Sequence, residues 1–355
     1  MEKGSEILKK VEGKTVKEKN SVFAKIMKRN EMPVLIATIL LCVVFTIFSS
    51  SFLSAYNIFN VTRTAALYMF VALSQTMVMI VGGMNVSLGY IGALSVVTCG
   101  YCMQELHMNS FVTIVLALLV GIICGLINGL IIIKLHINSF VATLATQFIF
   151  KGLVTGISEG YPYTEINKGF TFVGRNKFLG LPLMLYLAVA ALVVVWYVFR
   201  YTVLGRKLLA TGGNEKAAKM AAVNTENMML IANILSGLFA AIAGICAVSM
   251  NGAAQPTTGS DWMIYSFAVS VIGGTALAGG VICPVGIVIA GIMIVIIKNG
   301  LIMLNANVYY EQTYLGLILL VAVSLASLST LFQELKRRRT FAKPVSYTHL
   351  RAHET

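Results

Sequence analysis

The chain has 355 residues, 57% hydrophobic and only 12% charged, with mean hydropathy +0.83 and a formal net charge of +13. A soluble globular domain carries about 25% charged residues, so a water-soluble enzyme is excluded as a first reading. The apolar residues come in continuous runs of about 20, which predicts membrane helices and not the alternating strands of a barrel.

In chain order, residues 1–30 form a basic tail holding nine Lys and Arg. Such a tail lies against anionic headgroups, with nucleic-acid binding the weaker alternative. No cleavable leader is expected, because the first apolar run is already of spanning length. Gly13-Lys14-Thr15 ends like a phosphate-binding loop, but Leu8 stands where its first glycine belongs, so no ATP site is expected.

About ten spans follow, at 33–53, 61–82, 89–104, 111–133, 137–157, 180–200, 227–250, 263–281, 283–303 and 313–333. The expected class is all-α and polytopic, with a membrane domain over 31–335, a polar segment at 204–226 and a tail at 336–355. Five Lys and Arg fall in 200–226 and five more in 334–343. The positive-inside rule therefore places both termini and the 200–226 loop in the cytoplasm. Residues after about 343 follow a natural basic stop and are set aside as a candidate non-native appendage.

Several features promise chemistry and do not deliver it. Cys99 and Cys102 have redox spacing but close a membrane helix, and the four histidines are scattered, so no metal site is expected. Lys151 and Lys298 fall within spans, where a cation either serves a pathway or snorkels to the span end.

Glycine is more informative. Gly82-Gly83 is followed by Gly89, and Gly273-Gly274 by Gly280, each six residues after the pair. Asn128-Gly129-Leu130-Ile131 then matches Asn299-Gly300-Leu301-Ile302. This order suggests a diverged internal duplication with interrupted helices, as in transporters, with Gly82, Gly83, Gly89, Gly273, Gly274 and Gly280 as the helix-break residues. The polar run from Thr211 to Asn224 predicts a short cytosolic helix on which a soluble partner acts. Its alanines favour helix at little bulk, Asn214 is placed to cap it and Glu215 suits the first turn. Candidate pathway residues, chosen by helix position for polarity without charge, are Asn85, Ser87, Thr143, Thr146, Gln147, Ser270 and Thr275. The competing reading has their hydroxyls bonding the backbone of their own helix.

The run from Gly82 to Gly89, Ile137–Leu144, Phe150–Leu153, Gly205-Arg206, Gly212–Glu215 with Ala217-Ala218, Ser236-Gly237 with Ala243-Gly244, Ala254-Gln255-Pro256, Ile272–Thr275 and Asn299–Leu301 occur in an order that resembles the permease subunits of ribose-type ABC importers. The chain departs from that pattern at Asn85, where relatives usually carry Asp, and at Met263, Ile264 and Tyr265, where they often carry an acid, although Asp261 is close by. The resemblance implies a permease with no catalytic residue and no cofactor of its own, in a bacterial inner membrane. It pairs with a second permease copy, two cytoplasmic ATPase subunits that hold ATP and Mg, and a soluble sugar-binding protein that docks near 158–179. Gly213, Asn214, Glu215, Ala217, Ala218, Ala222, Val223 and Asn224 then form the helix that couples to the ATPase. The implied function is monosaccharide import by alternating access. Alternatives are a nucleoside or furanose-type signal as cargo, an ion-coupled secondary transporter (which needs an intramembrane acid the spans lack), or a scaffold without transport.

Overall fold

A computed structural model describes residues 32–304 and scattered positions between 310 and 320. The chain divides into two units, residues 1–307 and 308–355; in the second, the Tyr310 and Tyr314 rings stand 6.4 Å apart within helical chain. Most of the expected span at 313–333, and the tails 1–30 and 336–355, lie outside the described residues.

The described part of the first unit is helical apart from one short hairpin. Helices α1 (Met32–Phe48), α2 (Ala55–Ile80), α3 (Leu88–Gln104), α4 (Ser110–Leu135) and α5 (Ser139–Ser158) come first. Then come α6 (Lys168–Arg175), a hairpin of β1 (Lys177–Phe178) and β2 (Leu181–Pro182), and α7 (Leu183–Tyr201). The remainder is α8 (Val203–Gly213), α9 (Glu215–Met220), α10 (Thr225–Asn251), α11 (Trp262–Ile272) and α12 (Pro284–Met303). Polar residues ahead of the apolar runs set the starts. Ser54, Asn109 and Asn224 each accept a hydrogen bond from the backbone N–H three residues on, satisfying an amide with no helical partner.

Six of these helices (α2, α4, α5, α7, α10 and α12) are long and apolar enough to cross a membrane, and α1, α3 and α11 are shorter apolar helices. The protein is a multi-pass membrane protein. In α2, 89% of the apolar stretch is buried, against 28% in each of α4, α5 and α7. So α2 is the core of the bundle, while the other three present apolar surface outward, as lipid requires. Missing side chains bring helices together: a Cβ on Gly125 would meet the Asn233 carbonyl, and one on Gly121 would meet Gly237. Close backbone approach is how membrane helices gain contact when lipid supplies no hydrophobic drive.

The expected eighth span is corrected. Instead of crossing over 263–281, helix α11 stops at Ile272, and residues 273–283 run irregularly before α12 begins at Pro284. At about 1.5 Å per residue α11 rises only about 16 Å, roughly half the hydrocarbon thickness. Gly273 and Gly274 end it, and Pro284 is preset for the first turn of the next helix.

Segment 158–182 folds over the end of α10 remote from α9. Ser249 Oγ donates to the Phe170 carbonyl at 2.7 Å and accepts from Gly174 N at 2.8 Å, while Tyr163 and Ala254 exchange backbone hydrogen bonds.

Candidate functional site: two interrupted helices and the segment that meets them

The first break lies between α2 and α3. Gly82 takes φ +80°, which turns the chain out of the helix and leaves the Met84 and Val86 amides without helical acceptors. Ser139 and Thr143, four residues apart on one face of α5, supply them: Met84 N donates to Ser139 Oγ at 2.9 Å and Val86 N to Thr143 Oγ1 at 3.0 Å. Asn85 and Ser87 turn into the core, fully buried. Asn85 Oδ1 accepts from Ser87 N at 3.0 Å and Ser87 Oγ at 2.8 Å, and its Nδ2 donates to Ser236 Oγ at 2.9 Å. Asn128 Nδ2 donates to Ser87 Oγ at 2.8 Å, and Ser74 Oγ donates to the Ser236 carbonyl at 2.8 Å. Five side chains from α2, the break, α4 and α10 thus share one buried network.

This network accounts for a neutral side chain at position 85. Asn85 both donates and accepts, whereas an ionised Asp only accepts. The neutral amide suits a site facing a serine hydroxyl and a serine amide with no cation among its hydrogen-bond partners. Asn85 and Ser87 are spent on side-chain bonds within the chain, the longest reaching Ser236, 151 positions on, and not on the backbone of their own helix. Thr143 instead donates to the Ser139 carbonyl at 2.7 Å, and Thr146 Oγ1 to the Thr143 carbonyl at 3.2 Å. Gln147 is half-buried on α5.

The second break, residues 273–283, is longer and less tied. Ser270 Oγ pairs with Thr76 Oγ1 at 3.0 Å, and Thr275 N donates to the Ser270 carbonyl at 3.0 Å. The Thr275 hydroxyl oxygen is buried without a hydrogen-bond partner among the described residues. Gly274, Gly279 and Gly280 take φ +88°, +88° and +76°, so three residues of this loop adopt a backbone that side chains disfavour.

The helix-break glycines separate into two kinds. Gly82, Gly274 and Gly280 turn the chain, as does Gly279, which the repeat had not singled out. Gly89, by contrast, sits in the first turn of α3, where a Cβ would meet the carbonyl of Gly259; its role is close packing and the helix-break assignment is corrected. The repeated Asn-Gly pair also diverges in use. Asn128 serves the first break, while Asn299 exchanges two amide hydrogen bonds with Asn57, at 2.7 and 2.9 Å, joining the end of α12 to the start of α2.

Both breaks meet the polar segment. Gly280 N donates to the Ile80 carbonyl at 2.9 Å, and a Cβ on Gly279 would stand 2.9 Å from both Gly82 N and the Gly212 carbonyl. Gly212, at the end of α8, packs backbone to backbone on the same Ile80 carbonyl and on Gly280 N. Three chain segments therefore touch at one glycine-lined junction where no side chain intervenes. Gly212 belongs to the Gly212–Glu215 motif and Gly279 adjoins Gly280, but their meeting has no signature in sequence.

The polar run forms two helices, not one. Asn214 closes α8 and caps α9, its Oδ1 accepting from Ala217 N at 3.0 Å. Glu215 forms an ion pair with Lys219 at 2.8 Å and accepts from Thr225 Oγ1 at 3.4 Å, tying α9 to α10. The Lys219 hydrogen bond holds the Glu215 carboxyl below its usual range. Ala222 carries φ +58° as Val223 N returns to the Ala218 carbonyl at 3.0 Å, a close normally given to glycine. One coupling residue faces the other way from the expectation: Ala218 is buried within the chain, while Ala217, Lys219, Ala221 and Met220 are exposed, Met220 to 91%.

Lys298 is not a snorkelling residue. Its Nζ donates to Tyr265 Oη at 2.9 Å and Tyr68 Oη at 3.3 Å and lies 4.4 Å from the centre of the Tyr265 ring. Lys151 is exposed, with its Nζ 5.9 Å from the centre of the Tyr90 ring.

A family model described as "Branched-chain amino acid transport system / permease component" matches residues 57–323. The ribose import permease protein RbsC of Bacillus subtilis (strain 168) is 34% identical over 289 residues, 81% of this chain and 89% of that protein. RbsC of Escherichia coli (strain K12) is 30% identical, covering 82% of this chain and 92% of its own length. The L-arabinose transport system permease protein AraH of Escherichia coli (strain K12) is 38% identical over 56% of this chain and 60% of its own length. No solved structure matches significantly. With interrupted helices of this kind and a match over most of its length, the chain belongs to the transport-permease family of that description, alongside the ribose import permeases.

Proposed function

We infer that this chain is the membrane permease of an ATP-driven ABC importer that carries a monosaccharide inward by alternating access. The observation that carries the reading is the junction of Gly212 with both helix breaks. A push on α9 is delivered through the end of α8 to the Ile80 carbonyl and to Gly280, so a partner bound at α9 acts on both breaks at once. Sugar as cargo is supported by the ribose and arabinose permeases and by the D-allose transport system permease protein AlsC, which is 28% identical over 81% of this chain. An ion-coupled carrier fits less well, because the acids within the described helices, Glu215 and Glu226, lie in the first turns of α9 and α10 and not in the interior of a span.

In this reading two copies of the chain form the path in a bacterial inner membrane with their termini in the cytoplasm. Two ATPase subunits, which hold ATP and Mg, grip the α9 helices, and a soluble sugar-binding protein docks over α6 and the hairpin. The exposed face of α9, with Met220 as its largest apolar group, is the part that enters the ATPase groove. Met220→Glu is the test. The side chain is free of the fold, so the variant should insert and fold normally, while an unpaired charge in a closed groove weakens docking. Sugar uptake and ATPase stimulation by loaded binding protein should fall at least about tenfold. Normal uptake with the ATPase still bound would remove α9 from the contact.

A further inference from the structure

Gln75, near the end of α2, has no place in any network described above. It is 1% exposed, and its Oε1 is buried without a hydrogen-bond donor among the described residues. The residues on either side do not share this condition. Ser74 is bonded to Ser236 on α10, and Thr76 to Ser270 on α11. Those two bonds fix the rotation of α2 about its axis, so the direction of Gln75 is set by its neighbours. A second copy of the chain does not reach it either, since burial is already complete within one chain.

Buried polar groups are nearly always paired, and an unpaired carboxamide in a membrane core weakens the fold unless something outside the chain uses it. On a helix, positions seven apart share a face. Gln75 therefore shares one face of α2 with Tyr68, whose hydroxyl accepts from Lys298. The helix ends five residues after Gln75, at Ile80, and the first break follows at Gly82. The buried, unpartnered Thr275 hydroxyl lies in the other break, directly after α11, which packs on α2. Carboxamides and hydroxyls that lack protein partners are the groups a hydroxylated, uncharged solute pairs with and then releases.

We propose that Gln75 is a solute-contacting residue, its carboxamide hydrogen-bonding the hydroxyls of the transported sugar when the breaks move apart. This rests on the importer reading above. In the closed state Oε1 is occluded and unpaired; in the open state the sugar supplies the missing donor. Such a residue lowers the stability of the resting protein and raises its affinity for cargo in transit. A structural residue stabilises the resting protein and leaves cargo affinity unchanged.

The test uses the complete importer with its binding protein in proteoliposomes and radiolabelled ribose, arabinose and allose as probes. Gln75→Met conserves volume and removes the amide. It should raise Tm by about 2–4 °C and lower uptake at sub-saturating sugar by about tenfold. The affinity of the isolated binding protein should not change. Gln75→Asn keeps the amide but shortens its reach, and should change the ratio among the three sugars. A lowered Tm with unchanged uptake would show that the amide is held by internal water or is structural, and would overturn the proposal. Equal loss for all sugars in both variants with lowered Tm would overturn it too. If the unaltered importer carries none of the three sugars, the sugar reading itself falls, and this inference with it.

Discussion

The two helix breaks carry the same glycine spacing yet are held in different ways. In the first, Ser139 and Thr143 take the freed amides, and Asn85, Ser87, Asn128, Ser236 and Ser74 close a buried network around the turn. The second has a longer loop, with Leu277 and Val281 exposed, the Thr275 hydroxyl unpaired and three positive-φ glycines. A polar network satisfied at nearly every member rigidifies its surroundings, whereas a loop with few side-chain ties opens at low cost. In the proposed transport cycle the first break is then the fixed pivot and the second the element that moves against it, with Gly212 touching both.

The sharpest way to break this comparison is at the point of contact. Gly212→Val places a Cβ on the Ile80 carbonyl and the Gly280 amide, where only backbone is available to yield. Uptake in proteoliposomes should fall by about a hundredfold or more. Gly156→Ala, with open space around it, should change little. Equal behaviour of the two variants would mean that α8 does not act through the junction.

A smaller effect separates pivot from moving part. Ser87→Ala strips bonds from Asn85 Oδ1 and Asn128 Nδ2 and should cost about 1–3 kcal/mol, lowering Tm measurably. Thr275→Val removes a hydroxyl that already lacks a partner, so Tm should stay level or rise. The reverse ranking would invert the assignment of the two breaks.

The smallest effect lies at the surface. Glu215 titrates below the usual carboxylate range in the folded chain, chiefly through its hydrogen bond from Lys219. Its contribution is therefore complete above the unfolded carboxylate pKa and is lost as pH falls through the lowered folded value. Both groups are largely exposed, so the stabilisation is slight and salt-sensitive. Carboxyl titration by NMR should find the Glu215 midpoint lowered, and Lys219→Ala should return it toward the ordinary value. An unmoved midpoint in Lys219→Ala would show the pair is not formed.

Met220→Glu and Gln75→Met carry the same contrast to the ends of the chain of action, one at the partner surface and one beside the pivot.

The sequence by itself determined the class of the protein. Unbroken apolar runs cannot be soluble strands, and the polar run ending at Asn224 cannot cross lipid; these follow from hydration alone and need no tertiary partner. The cap at Asn214 was legible for a similar reason, because it is satisfied within three residues. The interruption of the eighth span at Gly273 and Gly274 was legible from the glycine pair; that no helix resumes before Pro284 was not, since the apolar residues beyond them read like a continued span. Nor was the inward face of Ala218, which depends on how α9 lies on its own protein. The networks around Asn85 and the junction at Gly212 tie together segments from 41 to more than 150 positions apart, and partners at that range leave no trace in local pattern. Tertiary structure alone decided which polar side chains are spent on the fold and which, like Gln75, are left for a ligand.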